Sequence, residues 1–215
     1  GGQFGGDLEK MRKAEEAIWG SAAGKDRDGK EKPGPSSVRI IVGDVKHNGI
    51  LSKVTIQTKH GPKSVDVGDP QSPYGYIAFP LRKDEKKPAG NLYEAGIEFT
   101  LTLKHPKTLE PEITPALWAW ETFGGIGART RRGFGALQLI EVEGVRISAP
   151  VSAEAQKQLD QNLNIHVVDG HWPPSVPHLS QTISRRVFQY DANTSATDVW
   201  LDLITALAQF RQAPK

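Results

Sequence analysis

The chain has no cysteine among its 215 residues, which excludes disulfides, cysteine-based zinc or iron–sulfur sites and thiol nucleophiles. No apolar run approaches the roughly 20 residues that a transmembrane helix needs, and the opening GGQFGGDLEK has no basic-then-apolar leader pattern. From these absences we expect a cytoplasmic protein with no membrane partner.

The chain also lacks a large excess of positive or negative charge. Its 27 Lys and Arg residues and 25 Asp and Glu residues leave a formal net charge of only +2. This net charge does not by itself indicate a nucleic-acid-binding protein. A local cluster of positive charge would be needed to indicate one. With 37% hydrophobic and 24% charged residues, the composition is that of a globular chain. At roughly 150 residues per domain, the length indicates one large or two small domains.

Hydrophobic periodicity predicts several helices and strands along the chain. Helices are predicted over 7–19, 114–123, 152–163 and 197–212. Strands are predicted over 37–46, 50–58, 74–79, 96–104, 136–144 and 182–190. Because the helices and strands mix without a regular βαβ repeat, the order favours an α+β fold over a doubly wound parallel sheet.

The most informative segment is FGGIGARTRRGFG at 123–135, which crowds five glycines and three arginines together. Glycine lets the backbone adopt positive φ and approach a ligand closely, and the N–H groups of such turns form anion-binding concavities. Arginine adds a permanently charged, planar fork that suits phosphate. The segment therefore predicts a phosphate-binding loop, with a tight turn carrying solvated arginines as the alternative.

Neither common nucleotide-binding motif fits this segment. A P-loop requires Lys and Ser or Thr after its last glycine, and none follows here. The dinucleotide fingerprint requires strand, glycines and helix in that order, whereas this segment runs from a helix into a strand.

The pattern Gly125-Ile126-Gly127, five residues, then Gly133-Phe134-Gly135 resembles the glycine-rich loop of the RAMP superfamily of CRISPR-associated proteins. Four stretches are similar to the first numbered subunit of Cmr (type III-B) complexes. They are the glycine-rich loop itself, the amphipathic helix that ends Ile18-Trp19-Gly20-Ser21, the stretch Ser36-Ser37-Val38-Arg39-Ile40 and the late helix ending at Gln212. The resemblance implies a ferredoxin-like (RRM-like) RAMP fold. It implies one nearly complete unit over 1–148 and part of a second over 149–215.

That subunit normally starts with a strand and an Arg-Phe-Trp-Trp-Arg segment, and it continues past the last helix found here. We therefore expect the first strand of the fold to be missing and the chain to be a central piece.

The resemblance further implies a non-catalytic RNA-binding subunit in antiviral defence. Its expected partners are the CRISPR RNA (crRNA), target RNA and other Cmr subunits, with no cofactor or metal. The expected RNA-binding residues are Gly124, Gly125, Gly127, Arg129, Thr130, Arg131, Arg132, Gly133, Phe134, Gly135 and Arg39. Phe134 could either stack on a base or plug the core beneath the loop. Arg185 and Arg186 could extend the basic face, whereas Trp118, Trp120, Trp172 and Trp200 favour core or interface positions.

Two alternatives stay open. One is a metal-independent endoribonuclease that processes CRISPR RNA, for which a histidine would be the general acid or base. The predicted first helix has no histidine, which leaves His47 and His105 as candidates and disfavours catalysis. The sequence also lacks Gly-x-Ser-x-Gly and His-Glu-x-x-His motifs. The other alternative is a purely structural assembly subunit whose loop packs on a neighbour.

Overall fold

The structure of the chain is a computed structural model, which describes residues 4–22, 24–25, 28–30, 34–86, 92–94, 96–148, 152–172, 178–181, 190–191 and 193–212. These residues mix helices with short strands, as the sequence predicts. The elements in chain order are α1 (Leu8–Trp19), β1 (Arg39–Lys46), β2 (Ile50–Leu51), β3 (Lys53–Thr58), β4 (Gly61–Asp66), α2 (Gly75–Ala78), β5 (Leu92–Tyr93), β6 (Glu98–Lys104), α3 (Glu110–Phe123), β7 (Glu141–Val142), β8 (Val145–Arg146), α4 (Ser152–His166) and α5 (Ala196–Gln212).

The chain divides into two compact units, each assembled from three separate segments. The first unit takes in Gly1–Ile41, Thr102–Gly125 and Ala136–Gln189, and the second takes in Val42–Leu101, Ile126–Gly135 and Tyr190–Lys215. Both units combine segments from either side of residues 148 and 149, and a domain boundary at that point stays a prediction. Among the described residues, the buried apolar side chains of the first unit are Val38, Ile113 and Leu163. Those of the second are Val65, Val67, Ile77, Ala78 and Ile204.

In the described part of the chain, the strands form four two-stranded sheets, β1 with β6, β2 with β5, β3 with β4, and β7 with β8. The alternation predicted for 96–104 is confirmed in β6, where Phe99, Leu101 and Leu103 are half-buried and the residues between them are exposed. The β3–β4 hairpin is antiparallel, from Lys53 opposite Asp66 to Thr58 opposite Gly61.

Helix α1 confirms the predicted helix over 7–19 and shows the local signals that define it. The Asp7 carboxylate accepts hydrogen bonds from the backbone N–H groups of Glu9 and Lys10, at 3.1 and 3.0 Å. The hydrogen bond from the Lys10 N–H is the main reason that the pKa of Asp7 lies below its usual value. Gly20 then ends the helix at φ 79°, with its N–H donating to the Glu16 carbonyl at 2.9 Å.

The strand predicted over 74–79 is wrong, because this segment is helical. Residues Gly75–Ala78 form α2 and Phe79–Leu81 continue as a 3-10 turn. The Ala78 N–H donates to the Tyr74 carbonyl at 2.7 Å, which closes the helical turn. Gly75 is buried so tightly against the Asp69 carbonyl that a side chain at this position would collide with it.

Three further predictions differ from the structure or fall outside it. Helix α3 begins at Glu110 rather than at Thr114, because Pro111 occupies the first turn and Pro115 lies inside the helix. Of the strand predicted over 136–144, only Glu141–Val142 form a strand, β7, which pairs with β8. The strand predicted over 182–190 lies outside the described residues except for its last position. The predicted third and fourth helices are confirmed as α4 and α5.

Candidate nucleic-acid interface

Residues 126–135 form a closed loop in the second unit, which we call the glycine-arginine loop. Its ends meet through a hydrogen bond of 2.9 Å from the Ile126 N–H to the Gly135 carbonyl. Inside it, Thr130–Arg132 form a 3-10 turn in which the Arg132 N–H donates to the Arg129 carbonyl at 2.8 Å. The Gly133 N–H donates to the Thr130 carbonyl at 2.9 Å. The loop is therefore a structured turn.

The glycines of the loop are required by its backbone. Gly127, Gly133 and Gly135 have φ values of 87°, 82° and 63°, in the left-handed region that side chains disfavour. A Cβ at Gly135 would also collide with the Ile126 carbonyl, across the bond that closes the loop. Because the N–H groups of Ile126, Arg132 and Gly133 donate within the loop, they are not free for a ligand. Those of Gly127 and Ala128 have no acceptor in the described part of the chain.

Trp200 of α5 packs against the glycine-arginine loop and holds it in place. Its indole Nε1 donates to the Arg132 carbonyl at 2.8 Å, and its ring lies edge to face with Phe134 at a centroid distance of 4.9 Å. A Cβ at Gly133 would lie 2.7 Å from Cδ1 of the same indole, so only glycine permits this approach. Tyr74 lies on Trp200 as well, at 5.5 Å between centroids. These contacts favour the core-plugging role of Phe134 over base stacking.

Arg129 is held in a fixed position by its backbone and its side chain. Its φ of 64° is left-handed, which is uncommon for a residue with a side chain. The guanidinium carbon lies 4.5 Å from the ring centroid of Phe79, in a cation–π contact. Its Nε is buried without a hydrogen-bond partner among the described residues. The side chain is therefore preorganised against Phe79.

The other two arginines differ in exposure. Arg131 is exposed, whereas Arg132 and Thr130 are half-buried. Within the described ranges, no carboxylate lies within ion-pair distance of Arg129, Arg131 or Arg132. Three neighbouring positive charges without a counter-charge create a positive potential that attracts an anionic ligand.

The predicted RNA-binding residues are divided between the two units. The predicted residues from Gly127 to Gly135 share the glycine-arginine loop, whereas Gly124, Gly125 and Arg39 belong to the first unit. Gly124 ends α3, with its N–H donating to the Trp120 carbonyl at 2.9 Å. Arg39 is exposed at the start of β1. Arg185 and Arg186 lie outside the described residues.

Sequence reasoning missed the role of Phe79, which lay in a segment predicted to be a strand. Trp200 matches its predicted core or interface position, but its link to the loop was not foreseen. The hydrogen bond from Trp200 to Arg132 spans 68 positions of the chain, and no local pattern indicates such a contact.

The two histidines considered for catalysis lie in different surroundings. The His47 ring is 5.3 Å from that of Tyr93. His105 Nδ1 is 3.0 Å from the Pro106 carbonyl oxygen, and its Nε2 is 3.6 Å from a Glu110 carboxylate oxygen. Within the described ranges, no three His, Asp or Glu side chains are grouped so that they could hold a metal ion. No helix among these residues has the length and apolarity to cross a membrane.

Comparisons with known proteins identify the family to which the chain belongs. The model of the RAMP superfamily matches residues 2–138, which include the glycine-arginine loop. The chain is similar to the CRISPR system Cmr subunit Cmr1-2 of Pyrococcus furiosus, with 26% identity over 147 residues that cover 65% of this chain and 73% of that protein. No solved structure gives a significant match. Because the family match extends over more than half of the sequence and takes in both glycine pairs, the chain belongs to the RAMP superfamily.

Proposed function

We propose that this protein is a non-catalytic RNA-binding subunit of a type III-B (Cmr) CRISPR effector complex. In this proposal it acts in the cytoplasm, in antiviral defence, and binds crRNA or target RNA beside other Cmr subunits. Its framework is a ferredoxin-like RAMP unit. Membership of the RAMP superfamily and the similarity to a Cmr subunit support the assignment to such a complex.

The observation that carries RNA binding is the concentration of unneutralised charge on a preorganised loop. Arg131 is exposed beside Arg129 and Arg132, and none of the three has a carboxylate partner in the described part of the chain. Trp200 fixes the loop from below, so that binding requires little ordering of the backbone.

The proposed mechanism is recognition of the RNA backbone. The guanidinium of Arg131 contacts phosphate oxygens, and the N–H groups of Gly127 and Ala128 supply further donors. Such contacts position an RNA strand without reading its sequence. In this proposal, pairing between crRNA and target RNA supplies the sequence specificity.

The salt dependence of single-stranded RNA binding by the full chain tests this proposal. Each lost phosphate contact flattens the plot of log affinity against log salt concentration by about 0.7. We therefore expect Arg131→Ala to lower the slope by about 0.7 and the affinity by about 5-fold at 0.1 M salt. Arg146→Ala, which removes another exposed arginine from β8, is the matched control and should change neither quantity.

Each remaining outcome counts against the proposal. If the native protein does not bind RNA, or if the slopes of Arg131→Ala and the native protein are equal, the structural assembly role is favoured. If the RNA is shortened during incubation without metal, and a substitution of His47 or His105 abolishes the shortening, the nuclease is favoured.

A further inference from the structure

Phe79 presents an exposed aromatic ring directly after two buried residues. Its two preceding residues, Ile77 and Ala78, are fully buried, whereas Phe79 is 60% exposed. Tyr76, three residues earlier, is 38% exposed. Single exposed apolar side chains are common on protein surfaces, so the groups that surround Phe79 decide whether it belongs to a site.

The backbone beneath Phe79 is fixed. The Arg82 N–H donates to the Phe79 carbonyl at 3.1 Å, which closes the 3-10 turn. The absence of a side chain at Gly68 allows close backbone packing, since a Cβ there would lie 2.7 Å from the Leu81 carbonyl carbon. The ring is therefore presented by a rigid support, and holding a ligand on it would need little loss of backbone entropy.

Arg129 connects Phe79 to the glycine-arginine loop. Its guanidinium carbon lies 4.5 Å from the ring centroid, and with 60% of the residue exposed the ring still offers π surface to solvent. The site therefore places an open aromatic surface directly beside Arg129, an arginine with no carboxylate partner among the described residues. Single-stranded RNA has both matching groups, a flat base and an adjacent phosphate.

We propose that Phe79 is a stacking platform for one unpaired RNA base whose adjacent phosphate contacts the glycine-arginine loop. This inference rests on the proposed function and adds a second contact to it. Because every base has a π face, the platform tolerates any sequence. The site then selects single-stranded RNA, whose bases are free to leave the stack, over a duplex of the same charge.

The test compares two RNA probes of equal length and charge on the full chain. One is oligouridylate, and the other is oligodihydrouridylate, whose saturated rings are not planar and stack poorly. Phe79→Leu keeps apolar bulk but removes the π face.

We expect this variant to bind oligouridylate about 5- to 150-fold more weakly, as one lost base–aromatic stack implies. Its affinity for oligodihydrouridylate should equal that of the native protein, and its salt slope should be unchanged. Phe79→Tyr, which keeps a ring, should bind both probes as the native protein does.

Two results would overturn the platform while leaving the proposed function intact. If Phe79→Leu weakens both probes equally and lowers the salt slope by about 0.7, Phe79 only positions Arg129. If it changes neither affinity, the exposed ring serves another partner, such as a protein surface. By contrast, failure of Arg131→Ala to change the slope would contradict the proposed function itself. Thermal unfolding of each variant verifies that it is folded.

Discussion

Replacing Trp200 by alanine is expected to lower the free energy of unfolding of the chain by about 3 kcal/mol. This value is at the lower end of the range for buried Trp→Ala substitutions, because the indole is only half-buried. The change removes the packing on Phe134 and Tyr74 and the hydrogen bond to the Arg132 carbonyl. The melting temperature should fall by roughly 6–12 °C. Chemical denaturation followed by far-ultraviolet circular dichroism measures the loss.

Two related substitutions separate the causes of that loss. Trp200→Phe keeps an aromatic ring but removes the N–H donor and the five-membered part of the indole, so it should cost about 1–2 kcal/mol. Gly133→Ala should cost about 2–3 kcal/mol, because its Cβ collides with the indole and its φ of 82° disfavours a side chain. In the Trp200→Ala background only the backbone cost of about 1 kcal/mol should remain. Additive costs in this double-mutant cycle would show that the indole does not lie against Gly133.

Replacing Arg129, Arg131 and Arg132 together by alanine is expected to weaken single-stranded RNA binding by about 100-fold at 0.1 M salt. If each arginine neutralises one phosphate, the salt slope should fall by about 2. The fold should be retained, since none of the three forms an ion pair with another described residue. Electrophoretic or fluorescence-anisotropy titrations at several salt concentrations give both quantities.

The matched control replaces the same three arginines by lysine. This variant keeps the charge but loses the planar fork, so its salt slope should stay close to that of the native protein while its affinity falls modestly. If the alanine variant binds RNA as tightly as the lysine variant, the loop does not contact RNA in the isolated chain.

Local signals in the sequence were sufficient where the structure depends on nearby residues. Helix α1 begins at a capping aspartate and ends at a glycine, and both positions follow from the sequence alone. The alternation of Phe99, Leu101 and Leu103 with polar residues likewise identified β6, because one face of that strand is half-buried and the other is exposed to solvent.

The errors occurred where backbone contacts between segments override the preferences of individual side chains. Tyr74, Tyr76 and Ile77 have side chains that favour strands, yet the close approach of Gly75 to Asp69 forces a helical turn. Conversely, no strand is predicted over Gly61–Asp66, which contains the weak strand formers Gly61, Pro62 and Asp66, but pairing with β3 makes it the strand β4. In both segments tertiary packing decides the conformation.

The candidate site shows the same division. The glycines and arginines of the loop are adjacent in sequence, so their spacing could reveal a phosphate-binding turn. The aromatic residues that support it come from other segments, Phe79 after α2 and Trp200 in α5. Only folding brings them to the loop, and for that reason Phe79 was absent from the predicted set.

Photo-crosslinking of RNA to the full chain tests the central claim, that the glycine-arginine loop contacts RNA, most directly. A single-stranded RNA with 4-thiouridine would be irradiated with the native protein, and the crosslinked residues would be identified by mass spectrometry. We expect crosslinks within 126–135 and within 74–82, and their loss in the variant with all three loop arginines replaced by alanine. Crosslinks confined to segments of the first unit, such as α1 and α4, would contradict this account.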